Sequence, residues 1–453
     1  MKNPFKNDIP LDSDSSLNYT ELVSWFRQAV PYINIHKDKI FVISLSSEAT
    51  LHKNINTIIH DIALLSTLGA KIIIIHGISS HLQKKIEINN LKNKFINQQR
   101  ISDKKIIKAS IECASIIRSE IETQLSTSLI NTALYKNKIK IASANVITAK
   151  PLGVIDGVDM LFTGTVRKID TESITRLLDL GNIVLLSPLG LSPSGETFNI
   201  PHEEVSSKIA ISLKANKLIY FTDQDGLFSS NNKLIREVSL ETAQEIMIDY
   251  PKHSYKKFIK AAINAVNASV CRAHLMSFKH DGALLQELYT IDGIGTLILK
   301  NDFEKIRDAN KSDITSISEM ITPLENEGIL VKRSHDNLSK ELNFFSVVER
   351  ENIITAVGAL YIYKDKNIRT GEIACITTHQ NYRNNNRGKK LLSHLEEKGR
   401  SLGLDYIFIL TTQAADWFID QGYSLGEIAQ LPLKKKSLYN YQRNSKIFIK
   451  KIR

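Results

Sequence analysis

Apolar residues run along this chain in two rhythms. Up to about residue 222, short wholly apolar runs alternate with stretches whose apolar positions recur every three or four residues. Ile40-Phe-Val-Ile-Ser-Leu45 predicts a strand, His52 to Leu68 a helix closed by Gly69, and Lys71 to Ile75 a fully buried strand. The alternation continues through a strand at Lys140-Ile-Ala-Ser143, a helix over Thr171–Leu180, a strand over Ile183–Leu186, a helix over Glu203–Leu213 and a strand over Lys217–Phe221. Apolar strands separated by helices predict a largely parallel sheet sandwiched by helices, an α/β fold. Such sheets receive ligands at the carboxyl ends of their strands, here near His76-Gly77, Ser187-Pro188 and Thr222-Asp223.

Residues 1–19 are polar and predict a disordered tail. Leu22, Trp25, Phe26, Ala29 and Val30 then share one face of a helix expected to end at Pro31, a face that packs either on its own domain or on a neighbouring subunit. The first domain spans 20–300, and the mixed charge of 301–311 reads as a linker. In the second domain, 312–453, the rhythm changes. A helix capped by Ser312 carries Ile314, Ile317, Met320, Ile321 and Leu324, a second helix starts at His335, and Asn343–Val348 and Ile353–Tyr363 read as antiparallel strands. Gly371–Thr378 is a strand, His379–Asn386 a polar loop, Arg387 onward a helix with Leu391, Leu392 and Leu395 on its buried face, and Tyr406–Thr412 a further strand. This is a mixed α+β domain.

Composition narrows the classes. The 453 residues suit two domains, and Lys+Arg 59 against Asp+Glu 48 gives a net charge of +11. The lysines are scattered among Ile and Asn rather than clustered, so compositional bias accounts for the charge without a nucleic acid. Cys113, Cys271 and Cys375 lie far apart with no metal-ligand spacing, and no apolar run reaches membrane-spanning length. A cytoplasmic protein without a metal or membrane partner is expected.

The strand–loop–helix from Gly371 carries the chemistry. A loop rich in Asn, Arg and Gly that feeds a helix aims backbone N–H groups and the positive end of the helix dipole at one point, and Arg383, Arg387, Lys389 and Lys390 crowd that turn. The turn reads either as a polyphosphate site or as a solvated basic helix start. Arg383-Asn-Asn-Asn-Arg-Gly388 resembles the loop by which GNAT acyltransferases cradle the pyrophosphate of acetyl-CoA, although Asn386 stands where that pattern has its first Gly. The resemblance implies acetyl-CoA as co-substrate, held by Ile376, Thr378, Arg383, Asn384, Asn385, Asn386, Arg387, Gly388 and Lys389.

Over about Tyr19 to Lys300 the chain resembles the amino-acid kinase family. The resemblance rests on Ile75-His76-Gly77, Lys150-Pro-Leu-Gly153, Leu213–Lys217, Asp225-Gly226-Leu227, and Cys271–Leu275 with Asp292–Ile298. Active members follow the first strand with Lys-x-Gly-Gly, whose cation and flexible turn serve the transferring phosphate. Here stands Ser44-Leu45-Ser46-Ser47, which predicts a sensing domain rather than a kinase. Resemblance to arginine-sensitive members implies an L-arginine site at Tyr32, Lys217, His274, Glu287 and Gly293. A carboxylate, a cation and a glycine suit a guanidinium, an α-carboxylate and a close backbone approach, although each residue alone also reads as ordinary structure.

Joined in this order, the two domains resemble the bacterial two-domain N-acetylglutamate synthases. That resemblance implies acetyl transfer from acetyl-CoA to L-glutamate, the first step of arginine synthesis, with arginine inhibition and hexameric assembly. Glu372 would be the base and Thr411, where those enzymes place a Ser, the acid. Leu330, Lys332, Phe418, Lys435, Arg443 and Ser445 would hold glutamate, with Lys332 and Lys435 standing where Arg is common. A working acetylglutamate kinase with an accessory acyltransferase domain, a non-enzymatic arginine sensor and a protein acetyltransferase remain as alternatives.

Overall fold

The computed structural model describes residues 19–130, 138–229, 231–248, 250, 253–290, 293–300, 304–350, 353–365, 368–379, 387–437, 439 and 445–453. The chain divides into two compact units, Met1–Asn301 and Asp302–Arg453. The expected disordered tail lies outside the described residues, except for Tyr19.

In the first unit, β1 Ile40–Leu45, β2 Lys71–His76, β3 Lys140–Ala142, β4 Asn182–Leu186, β5 Lys217–Thr222, β6 Glu237–Ser239, β7 Arg272–Ser277 and β8 Thr296–Leu299 form an eight-stranded sheet. Its order is β6-β8-β7-β5-β1-β2-β4-β3. Neighbours are parallel except β7 and β8. The largely parallel sheet predicted from the apolar runs is therefore what forms. The helices are α1 Tyr19–His36, α2 Ile55–Thr67, α3 Ser79–Ile88, α4 Lys104–Thr127, α5 Thr171–Asp179, α6 His202–Ser212, α7 Leu240–Ile248, α8 His253–Ala268 and α9 Ala283–Tyr289. Side chains alternate between two cores. Val42, Ile73 and Ile75 pack with Val205, Ile209 and Ile259 on one face, while Phe41, Ile43 and Ile74 pack with Ile59, Ile62 and Ile117 on the other. A period of two on the strands makes both faces apolar, so helices must cover both.

Helix α1 does not stop at Pro31 but runs on to His36. A proline there removes one hydrogen bond to the preceding turn. Burial of Ala29, Tyr32 and His36, and the bond that His36 Nε2 donates to the Leu288 carbonyl at 2.9 Å, outweigh that loss.

In the second unit, β9 Glu304–Asp308, β10 Phe345–Arg350, β11 Ile353–Asp365, β12 Ile368–Thr378, β13 Tyr406–Thr411, β14 Ser424–Gly426 and β15 Lys446–Lys451 form a sheet in the order β9-β10-β11-β12-β13-β15-β14. All neighbours are antiparallel except β12 and β13. The helices are α10 Ile314–Asn326, α11 His335–Glu341, α12 Arg387–Ser401, α13 Ala415–Asp420 and α14 Leu433–Ser437. Leu391, Leu392 and Leu395 of α12 cover Leu360 and Ile373 on one face of the sheet, and α10 and α11 cover Val347, Val357 and Ala359 on the other.

Two expectations change here. The segment expected to be a linker contains β9, because Ile306 has a neighbour to pair with in Val348 and packs against the α12 core. The cap before α10 is Asn310 rather than Ser312: the Asn310 side chain accepts from Ser312 N at 2.9 Å and Asp313 reaches back to Asn310 N at 2.8 Å.

Candidate active and effector sites

Strands β12 and β13 pair only over Thr370–Glu372 against Tyr406–Phe408. Beyond that point β12 stays with β11 and β13 with β15, so the two strands diverge and their facing backbone edges leave the ladder. The divergence coincides with a bulge, in which Cys375 and Ile376 oppose the single residue Gly358. Cys375 takes φ 56°, a left-handed conformation that costs a side-chain-bearing residue of the order of 1 kcal/mol. Gly358 is required here because a Cβ would come within 3.0 Å of Leu395 on α12. A wedge of unpaired backbone groups thus opens beside the helix that starts at Arg387.

Glu372 sits where the wedge begins, and only 4% of it is exposed. Each of its oxygens has a partner. Tyr363 donates its hydroxyl to Oε2 at 2.8 Å, and the Lys435 ammonium lies 2.7 Å from Oε1. Burial first, and the Glu372 charge second, push the Tyr363 phenol well above its usual range, so it remains a neutral donor. Lys435 reaches this point because Pro432 and the Asp365 carboxylate, which accepts from Leu433 N at 2.6 Å, hold the start of α14 at the end of β11.

Sequence reasoning missed Tyr363. The spacing Tyr361-Ile-Tyr363 does put both phenols on one strand face, but only the register of Tyr361 opposite Glu372 shows which face that is. Lys435, expected to meet a substrate carboxylate, lies 2.7 Å from Glu372 Oε1.

Thr411, at the end of β13, accepts through Oγ1 from Gln413 N at 3.3 Å and Ala414 N at 3.1 Å, which leaves its own proton free to donate. Arg383, Asn384, Asn385, Asn386 and Arg443 lie outside the described residues. Arg387 departs from expectation. Its guanidinium is buried against the Glu304 carboxylate of β9. The physical reason is the strand at β9, which brings a buried carboxylate that needs a cation.

Gly388 leaves room for the Trp417 ring, 3.6 Å from where a Cβ would stand, and Lys389 is exposed. Ile376 packs at the edge of the α12 core, and Thr378 is half-buried opposite Ala356. Leu330 is half-buried against the α10–α11 core, Lys332 is exposed and Ser445 is buried. Phe418, expected to line the glutamate pocket, is a core residue against Trp417, Tyr423 and Phe448.

In the first unit the five residues expected to bind arginine come from elements that pack together. Helix α1 contributes Tyr32, β5 Lys217, β7 His274, α9 Glu287 and the following turn Gly293. His274 Nδ1 donates to Glu287 Oε1 at 2.7 Å, and Oε2 accepts from Ile294 N at 2.7 Å and Gly295 N at 2.9 Å. Burial opposes the Glu287 charge, but the His274 bond and these amides outweigh it and hold the carboxyl below its usual range. Burial first, then the Lys217 charge, lower His274, which stays neutral. Gly293 has φ 57°, and a Cβ there would run into the Glu287 carboxylate. Lys217 Nζ lies 5.9 Å from the centre of the Phe41 ring.

At the carboxyl ends of β1 and β2 the arrangement differs. Ser46 Oγ accepts from Ala49 N at 3.2 Å and Ser47 Oγ from Ser80 N at 2.8 Å, so the two hydroxyls tie down the turn after β1 and the start of α3. A Cβ on Gly77 would stand 2.7 Å from Ser47 N, which shows how closely the two strand ends pack. Among the described residues no group of three or more His, Cys, Asp or Glu could hold a metal ion, and no helix is long and apolar enough to cross a membrane.

Comparison with known proteins covers almost the whole chain. Residues 39–277 match the amino acid kinase family and residues 312–418 the acetyltransferase (GNAT) family. The amino-acid acetyltransferase of Pseudomonas fluorescens is 41% identical over 430 residues, spanning 95% of this chain and 99% of its own length. That of Pseudomonas aeruginosa is 40% identical over 432 residues, spanning 95% and 100%. N-acetylglutamate synthase from Neisseria gonorrhoeae, crystallised with coenzyme A and L-arginine, superposes with a TM-score of 0.85 at 32% identity over 95% of this chain and 99% of its own. The same enzyme with coenzyme A and N-acetyl-glutamate gives a TM-score of 0.62 at 32% identity over the same shares.

Proposed function

The chain belongs to the amino-acid acetyltransferases, and from that membership we propose that it transfers the acetyl group of acetyl-CoA to the α-amino group of L-glutamate under inhibition by L-arginine. The observation that carries this reading is Glu372, a buried carboxylate held at the point where β12 and β13 part.

An ammonium cannot attack a thioester, so a base must first remove a proton. Glu372 is that base. The freed nitrogen attacks the thioester carbonyl, negative charge gathers on its oxygen, and the carbon–sulfur bond breaks as the thiolate leaves. Thr411, whose oxygen is engaged but whose proton is not, gives the thiolate its proton and recovers the second proton that the nitrogen sheds as the amide forms. The wedge between β12 and β13 suits the amide-bearing arm of CoA, because an extended chain with its own N–H and C=O groups can pair with strand edges that have lost their neighbour. The diphosphate falls to the loop at Arg383–Asn386 and to the N–H groups that open α12 at Gly388 and Lys389. Ile376 and Thr378 flank the arm.

Leu330, Lys332, Lys435, Arg443 and Ser445 hold glutamate. Phe418 supports that pocket from the core. In the first unit Glu287 takes the guanidinium of arginine, Lys217 its α-carboxylate, and Tyr32, His274 and Gly293 complete the site.

Ser46 and Ser47, whose hydroxyls accept from Ala49 N and Ser80 N where active kinases carry glycines, favour this sensing role over phosphoryl transfer by the same unit. Helix α1 exposes Trp25 and Phe26, 41% and 57%, as suits assembly into a hexamer through that helix. Three free cysteines fit a reducing cytoplasm.

The test is release of CoA thiol from acetyl-CoA with L-glutamate, in wild type and in Glu372→Gln. The variant should lose roughly two orders of magnitude or more in kcat, as for removal of a general base. Unchanged turnover would remove Glu372 from the mechanism, and robust ATP-dependent phosphorylation of N-acetyl-glutamate would replace the sensing role with a kinase.

A further inference from the structure

Glu372 is engaged on both oxygens before any acceptor arrives. Tyr363 fixes Oε2 from within the sheet, since it lies on β11 diagonally opposite Glu372. Oε1 faces Lys435. An acceptor ammonium that gives its proton to Oε1 must come up beside a second ammonium on the same oxygen, and two cations so close repel strongly where little water screens them. Proton transfer to Oε1 therefore requires Lys435 to move.

Its surroundings allow that. The Lys435 side chain is 24% exposed against 6% for Glu372, so it is the more accessible member of the pair. Helix α14 is five residues long, with Lys434 and Lys436 exposed on either side. The four-carbon lysine stem carries a single point charge that swings between partners without giving up a bidentate fork. What draws an ammonium from one carboxylate at little cost is another carboxylate, because the charge keeps an equivalent partner throughout. The proposed acceptor has two.

Resting on Glu372 as the base, we propose that Lys435 is a specificity-determining latch: its ammonium blocks the base until a carboxylate of the acceptor draws it away. Only an acceptor that bears the carboxylate frees Oε1. An amine without it binds weakly and also meets a blocked base. Lys435 thereby converts recognition of a remote group into turnover, with no contact to the reacting nitrogen.

The experiment compares three acceptors in wild type and in Lys435→Met, with Lys435→Gln as a second variant and thermal unfolding as the check on folding. The acceptors are L-glutamate, L-norvaline, which lacks the side-chain carboxylate, and 4-aminobutanoate, which lacks the α-carboxylate. Loss of the latch should raise KM for L-glutamate about tenfold and raise kcat/KM about tenfold for the truncated acceptor that lacks the drawing group, narrowing the preference for glutamate by about a hundredfold. A rise in KM for glutamate with truncated acceptors unchanged makes Lys435 a plain binding residue and overturns the latch. An equal loss on all three makes it a support for the base and overturns it too. Glu372→Gln in the Lys435→Met background separates the two readings. If the gain on the truncated acceptor survives there, Glu372 is not the base; if Glu372→Gln alone is inactive and Lys435→Met shows no gain, only the latch is lost.

Discussion

Replacing Glu287 would separate the proposed effector binding from folding, because its carboxylate would serve the two in different ways. Oε2 satisfies two backbone amides and Oε1 one imidazole, with distances of 2.7–2.9 Å. Four lone pairs less three bonds leave one acceptor position, on Oε1, for a guanidinium. Glu287→Gln keeps an oxygen for Ile294 N and Gly295 N and places an amide opposite His274. The neutral imidazole can answer by moving its proton to Nε2, which is buried and without a hydrogen-bond partner. Stability should therefore fall by only about 1 kcal/mol, whereas a charge-assisted bond to arginine, worth about 1.5–3 kcal/mol, is lost. Arginine affinity should drop roughly ten- to 150-fold. Glu287→Ala strands three buried groups and should cost about 3 kcal/mol or more of stability besides. Titration calorimetry with arginine, denaturant unfolding and acetyl transfer without arginine read the three quantities. Wild-type arginine affinity in the Gln variant would refute the assignment of Glu287, and an equal fall in transfer and inhibition would mark the residue as structural.

Asp61, buried with Oδ2 lacking a hydrogen-bond partner, has its carboxyl pushed up to about 6, by burial first and by the Asp281 charge second. Its folded value lies above its unfolded one, so the group favours folding in acid and costs stability as pH rises through about 4 to 6. Asp61→Asn should gain roughly 1–2 kcal/mol in unfolding measurements at pH 8 and nothing below pH 4; a gain independent of pH would show that charge is not the cause. Arg387→Met should destabilise by about 2 kcal/mol, because it leaves the buried Glu304 only the looser Arg350 partner at 4.0 Å, and be partly rescued by Glu304→Gln, with KM for acetyl-CoA moving less than tenfold. A hundredfold rise in that KM at unchanged stability would instead put the Arg387 side chain on the phosphates.

Sequence alone determined the two architectures and their order. Wholly apolar, β-branched runs such as Ile72–Ile75, flanked by Gly69 and Gly77, read as strands buried on both faces, and Leu391, Leu392 and Leu395 as one face of a helix. The strand at Gly371–Thr378 and the helix from Arg387 were legible for the same reason, that their pattern lies within a few residues of chain. Tertiary structure decided whatever depends on a partner distant in sequence. Arg387 and Glu304 are 83 residues apart, and only the pairing of β9 into the second sheet turns an expected phosphate ligand into a buried ion pair. Glu372 and Lys435 meet because Asp365 holds α14 at the end of β11, and Tyr363 joins them through strand register. Pro31 stays within α1 because burial of Tyr32 and His36 outweighs a local preference. Periodicity encodes which face of an element is apolar; which side chain from elsewhere lies against that face is settled only when the elements pack.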